Sequence, residues 1–287
     1  MRTKGWAPYL FLAPALLGIV MFRVVPIGIS LVGSLFGTGL TGAMSFQGAA
    51  NYTELASDPA FWSSVRTTLL FNLVINPLQV TLAFLLALLM ARPGRGVGAL
   101  RTALLLPITV SIALTSVIWN LLLDPAVGPV NGLLRSLSLP AQPFFRSEGQ
   151  ALSSLIAVCS WRGLGYWMFF MLSGLAAIPP EVNEAASIDG AGPWRRLIHI
   201  TLPLMKRSFA FVLIADTAAN FLLFAPVYII TNGGPNGSTS LLMFEAYRAA
   251  FALLDDGRSL AISSVILIII GAIAAVEMRF FQADDAA

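Results

Sequence analysis

Only 11% of the 287 residues are charged and 57% are hydrophobic, whereas a soluble domain usually carries about 25% charged residues, so a water-soluble globule is excluded. One Cys and one His exclude a disulfide framework and leave no metal or nucleophile constellation to assemble. The expected class is an integral membrane protein in contact with lipid.

A helical span needs about 20 mostly apolar residues. In chain order such runs lie near residues 8–35, 65–91, 102–123, 151–176, 207–230 and 260–281, which predicts six helices. The runs are too long and continuous for barrel strands, which show about ten-residue alternating segments. In lipid a helix bonds all of its backbone internally, so the expected fold class is an all-α membrane bundle. The connections are too short to hold a second core, and residues 1–287 are read as a single transmembrane domain.

The first run follows basic residues, as a signal peptide does, but it continues past a usual h-region and no Ala-x-Ala site closes it. Arg23 within it either snorkels outward or pairs with Asp216. The connections at 37–62, 124–149 and 231–240 are rich in Gly, Pro, Asn, Asp and Ser, and therefore turn-prone. Arg2, Lys4, Arg92, Arg95, Arg101, Arg195, Arg196, Lys206, Arg207 and Arg279 fall at one set of ends, against Arg135, Arg146, Arg248 and Arg258 at the other. By the positive-inside rule both termini are expected in the cytoplasm. The net charge of +3 follows from this asymmetry, and no nucleic-acid partner is expected.

Polar side chains in spans are costly and usually face the bundle interior or a water-filled path. Asn72, Asn76 and Gln79 share one face of the second span, Ser116 and Asn120 one face of the third, and Asp216 and Asn220 one face of the fifth. Two readings stand for the amides: interhelical hydrogen bonding, or a polar path for a hydroxylated solute. Asp216, near mid-bilayer by helix rise, favours the path. Trp119 and Trp161 are either interfacial anchors or a stacking platform. Cys159 reads as a small buried hydrophobe.

The connection at 177–206 is the most informative. Pro179-Pro180 ends the fourth span, Glu181–Ser187 predicts a short helix with Pro and acid at its start, and Asp189-Gly190 breaks it. A second helix is expected over 193–200, with Trp194, Leu197 and Ile198 on one face, and Leu202-Pro203 as its stop. Such a hairpin is either an interfacial connector or a helix that docks in a partner's groove. No Gly-x-x-x-x-Gly-Lys-Ser/Thr loop exists to hold ATP, and a lone His199 rules out His-Glu-x-x-His. If the protein performs energised work, another subunit must supply the energy.

The spacing Glu184-Ala185-Ala186, three residues, Gly190, nine residues, Ile200, one residue, Leu202-Pro203 resembles the EAA loop of binding-protein-dependent ABC importer permeases. Asn51-Tyr52 through Asp58-Pro59 to Phe61-Trp62, Trp119 through Pro125 to Asn131, and Thr231-x-Gly233-Gly234-Pro235 resemble the carbohydrate-type group, which includes the maltose and glycerol-3-phosphate importers. Departures are Thr67 where Asn is common, Ala225 where Asp is common, and Arg23 in the first span. The resemblance implies a type I permease fold and a carbohydrate or sugar-like solute. It also implies a second homologous permease subunit, two cytoplasmic ATPase subunits that hold ATP and Mg, and an extracytoplasmic solute-binding protein. This chain itself would bind no cofactor and would be no enzyme. Glu184, Ala185, Ala186, Asp189 and Gly190 would form the ATPase-coupling contact. Asn232, Gly233, Gly234, Pro235 and Asn236 would lie where the binding protein docks. Asn72, Asn76, Gln79, Ser116, Asn120, Asp216 and Asn220 would line the substrate path. The alternative function is a secondary transporter driven by protons through Asp216, which leaves the 184–204 hairpin unexplained.

Overall fold

The computed structural model describes residues 7–38, 44–92 and 94–282. Arg2 and Lys4, counted above for topology, lie outside the described residues, as do residues 39–43 of the connection at 37–62. The chain forms two compact units, Met1–Trp62 with Glu245–Ile268 and Ser63–Phe244 with Ile269–Ala287.

The first span is built from α1 (Ala7–Ile19), a π-helical turn (Val20–Val24) and α2 (Val25–Gly33). Its 25 residues Tyr9–Gly33 have no buried position, and Arg23 on the π turn is exposed, as a snorkelling side chain is. Strands β1 (Phe36–Thr38) and β2 (Met44–Phe46) pair antiparallel, with Gly37 opposite Ser45. Helix α3 (Ala50–Ser57) holds the start of this hairpin through Asn51, whose Nδ2 donates to the Ser34 and Phe36 carbonyls at 2.8 Å each. Asp58 then caps α4 (Pro59–Ala91): its Oδ1 accepts from Ala60 N at 2.8 Å, and Pro59 fits the first turn, where no backbone donor is missed.

The second and fourth spans are continuous, as expected, in α4 and in α8 (Glu148–Ala176). The third is not. It divides into α5 (Val97–Thr109) and α6 (Ile112–Leu122), bent by 98°, with Val110 and Ser111 extended between them. Ile108, Thr109 and Val110 are β-branched and favour extended backbone. The Thr109 hydroxyl also donates to the Leu106 carbonyl at 2.7 Å, competing for the acceptor that a continuing helix would use. The expectation of one helix over 102–123 is thereby corrected. After it come α7 (Pro129–Ser136) and a 3-10 turn at Phe144–Arg146.

The hairpin at 177–206 forms α9 (Pro180–Ile188), α10 (Pro193–Arg196), a π-helical turn (Leu197–Thr201) and α11 (Leu202–Leu204). Pro203 does not stop the helix as expected. The wider π turn ahead of it absorbs the missing backbone donor, and the break falls at Met205. A 63° bend there leads into α12 (Lys206–Phe221). The fifth span is also interrupted. Helix α12 ends at Phe221, and helical backbone resumes at Ala225 and runs into a π turn at Val227–Thr231; Pro226 sits in the first turn of the resumed helix, where its missing amide donor costs nothing. Helix α13 (Leu242–Phe251) and α14 (Asp256–Gln282) complete the described residues. Among the described residues four helices are long and apolar enough to cross a membrane, and up to six if each bent pair is one span.

In the second unit one buried cluster joins Phe71 and Ile75 of α4, Leu155 of α8 and Val227 and Ile230 of the π turn. Another joins Ala83 and Phe84 of α4, Met168 and Met171 of α8, Met205 and Val212 of α12. Helices α5 and α8 meet at Gly165, where any side chain would overlap the Leu104 carbonyl. Small residues allow this close approach between membrane helices.

Candidate functional site

Within the second unit α4, α5, α6, α8 and α12 line a half-open cavity of about 410 Å³. Of the expected path residues, Gln79, Ser116, Asp216 and Asn220 line it. Asn72, Asn76 and Asn120 do not. Asn76 instead bonds helices: its Nδ2 donates to Thr217 Oγ1 at 2.8 Å, and its Oδ1 accepts from Asn220 Nδ2 at 2.7 Å. Asn72 Nδ2 turns back to the Thr68 carbonyl at 2.9 Å. The Asn76 contacts fit the interhelical reading, in which the amide supplies hydrogen bonds that lipid cannot offer, whereas the Asn72 bond stays within α4. Asn120 is half-buried, while Ser116, 1% exposed, donates to the Ile112 carbonyl at 2.7 Å.

Asp216 is 1% exposed. Its Oδ1 accepts from Asn220 Nδ2 at 3.0 Å, and the Trp167 indole lies beside the carboxyl. Gln79 Nε2 donates to the Cys159 carbonyl at 3.2 Å. The wall also holds Arg162, Tyr166 and Trp167 of α8, none of which stood among the expected path residues. Arg162 was legible, since it is a cation inside the apolar run 151–176 and the cost of such a charge marks it for function. Its Nη2 donates to the Val110 carbonyl at 3.4 Å, reaching the acceptor exposed by the α5–α6 break. Glu277 of α14 is a second missed charge, and the Thr217 hydroxyl donates to its Oε1 at 3.1 Å. Trp119 and Trp161 do meet, ring centroids 5.3 Å apart and nearly perpendicular.

On the hairpin, Glu184, Ala185, Asp189 and Gly190 are exposed and Ala186 is buried, so Ala186 faces its own chain. Gly190 has φ of 69°, a left-handed conformation that ends α9 and that a Cβ would strain. Ser187 Oγ donates to the Asn183 carbonyl at 2.7 Å and accepts from Arg196 Nη1 at 3.0 Å, tying the two arms together. Ile188 and Trp194 are 87% and 76% exposed, an apolar tip beside Glu184 in the sequence.

The expected docking loop is tightly built. The Thr239 hydroxyl lies 2.7 Å from Thr231 Oγ1 and 2.8 Å from the Gly234 carbonyl and shares its proton between them. Gly234 N donates to the Thr231 carbonyl at 2.9 Å. Gly233 is buried, Gly234 and Pro235 are half-buried, and Asn232 and Asn236 are exposed.

Residues 79–283 match the family model described as a binding-protein-dependent transport system inner membrane component. The chain is 32% identical, over 96% of its length and 94% of the relative, to the sn-glycerol-3-phosphate transport system permease protein UgpA of Agrobacterium fabrum. It is also 32% identical to the probable ABC transporter permease protein YurN of Bacillus subtilis, over 96% of each chain. Its fold resembles a chain in the crystal structure of a bacterial alginate ABC transporter in complex with an alginate pentasaccharide-bound periplasmic protein. The TM-score is 0.78, at 20% identity over 96% of this chain and 92% of that one. Nothing among these similarities supports the proton-driven alternative. The chain therefore belongs to the binding-protein-dependent transport system inner membrane components, and it is a multi-pass permease subunit of an ABC importer.

Proposed function

We propose that this chain is one of two permease subunits of an importer for a carbohydrate or sugar-like solute, of the sugar, amino-sugar or glycerophosphate class. Its solute arrives from an extracytoplasmic binding protein and leaves into the cytoplasm, where both termini lie. A second, homologous permease completes the path, and two cytoplasmic ATPase subunits supply the energy with ATP and Mg. This chain holds no cofactor of its own.

The observation that carries the reading is the exposed hairpin of Glu184, Ala185, Asp189 and Gly190 in a chain of this family. An exposed helical tip suits a groove on a soluble partner, and Ala186 supports it from behind. Closure of the two ATPases would draw the hairpins together and shift the spans between two states, one open to each side. Gln79, Ser116, Asp216 and Asn220 then face the solute, while Asn76 holds α4 to α12. Asn120 takes no part in the cavity wall. The loop Asn232, Gly233, Gly234, Pro235 and Asn236 offers two exposed amides on a self-bonded frame to the binding protein.

The reading is tested with the complete importer in proteoliposomes, by uptake of a labelled solute delivered by its binding protein. Uptake should require ATP and should not respond to a proton gradient alone. Uptake driven by the gradient without ATP would overturn the reading.

A further inference from the structure

A second cavity, half-open and of about 400 Å³, lies in the same unit where the end of α4, the start of α5 and the end of α8 meet. Ala91 of α4, Arg101 of α5 and Phe169, Leu172, Ser173 and Leu175 of α8 are among its walls. Apart from the Arg101 guanidinium and the Ser173 hydroxyl the lining is apolar. Phe169, Ser173 and Ala176 are exposed, so this groove opens on the outer surface of the chain rather than within its core.

Arg101 Nη2 donates to the Met90 carbonyl in the last turn of α4. Among the described residues this is its one hydrogen bond, and no carboxylate pairs with it. Its Nη1 has no partner either and, unlike Nε, is not buried. An accessible guanidinium edge matches phosphate oxygens, and the apolar wall beside it suits hydrocarbon, which gains by leaving water. A free phosphate would use the cation and leave that wall empty. The surroundings carry the same sign: Arg92 and Arg95 are exposed on the connection from α4 to α5, and neither 59–123 nor 149–180, which hold the whole groove, contains an acidic residue. Basic pockets between membrane helices on the cytoplasmic side take anionic headgroups.

We propose that this groove binds one anionic phospholipid of the cytoplasmic leaflet, with its phosphate at Arg101 and an acyl chain along Phe169, Leu172 and Leu175. The choice of leaflet rests on the topology in the function proposed above, and the binding itself does not. A zwitterionic lipid carries the same phosphate with an ammonium beside it, which Arg92, Arg95 and Arg101 repel. The bond to Met90 gives Arg101 a competing role, as a cap on the end of α4. Glutamine is able to cap but carries no charge, and lysine caps and keeps the charge.

The test is native mass spectrometry of the complete purified importer, stripped of lipid in detergent and titrated with palmitoyl-oleoyl phosphatidylglycerol or the matching phosphatidylcholine. The native complex should bind phosphatidylglycerol about tenfold or more tighter, as a charge-assisted hydrogen bond allows. Arg101→Gln should bring the ratio close to one, and Arg101→Lys should keep most of it. Ala176→Phe, which fills the groove and leaves every charge in place, should weaken phosphatidylglycerol binding by a similar factor. Arg279→Gln, on an exposed cation that does not line the groove, should leave the ratio as it is. A native ratio near one, as when the second permease covers the groove, would overturn the proposal. So would a ratio unchanged in Arg101→Gln, full binding in Ala176→Phe, an equal loss in Arg279→Gln, or displacement of the lipid by inorganic phosphate at matched ionic strength. The spectra report assembly and lipid binding without ATP or solute, so failure of the importer reading would leave this result standing.

Discussion

Asn220 Nδ2 donates to Asn76 Oδ1 at 2.7 Å, joining α12 to α4 beside the cavity wall. Asn76 also donates to Thr217, so one side chain serves two hydrogen bonds across helices. Asn76→Ala removes both and leaves Asn220 and Thr217 with unmet groups. The expected loss is about 0.6 to 2 kcal/mol, the range of polar contacts between membrane helices. Thermal unfolding of the detergent-solubilised importer measures it. An unchanged midpoint would return Asn76 to the solute path instead.

Gly165→Ala is expected to destabilise by about 1–3 kcal/mol, as overpacking does, because its new methyl meets the Leu104 carbonyl of α5. Backbone cannot turn aside as a flexible side chain does. Gly271→Ala in α14, where a Cβ meets nothing within 4 Å, should leave the unfolding midpoint unchanged or raise it slightly. Equal behaviour of the two variants would contradict the packing of α5 on α8.

Asp58 and Arg258 give a pH dependence. The Arg258 guanidinium hydrogen-bonds the Asp58 carboxyl and holds it below its ordinary value of 3.8, assisted by Ala60 N. The folded carboxyl therefore binds its proton less readily than the unfolded one. Its contribution is complete above the ordinary value and is lost as pH falls through the lower, folded one. Acidification below about 4 should depress the unfolding midpoint more in the native protein than in Asp58→Asn. Parallel curves would show that the pair adds nothing in solution.

Much of this was legible because lipid leaves few options. Long apolar runs fixed α4, α8 and α14, and Asp189-Gly190 marked the hairpin turn that the left-handed Gly190 now makes. What escaped was the breaking of spans at 110–111 and 222–224. Hydropathy over 102–123 is blind to three β-branched residues and a Thr hydroxyl that together end α5. Pro226 was a visible signal of where helix restarts after the second break. The amide stripe on α4 was correctly found on one face, but spacing does not say which face meets a neighbour and which meets a cavity. Asn76 meets a neighbouring helix, Asn72 bonds back within α4, and Gln79 one turn beyond Asn76 meets the cavity. Arg162 and Glu277 were missed because amides were weighed before charges, although a charge in a span is the costlier observation.

The most direct test is whether energy enters at the exposed hairpin. A tag on this chain should co-purify the ATPase subunits from cells expressing the whole importer. Glu184→Lys, on an exposed side chain, and Gly190→Pro, which cannot hold the left-handed turn, should both abolish ATPase recovery and solute uptake, while the permease pair still purifies intact. Full ATPase recovery and normal uptake in both variants would contradict the account.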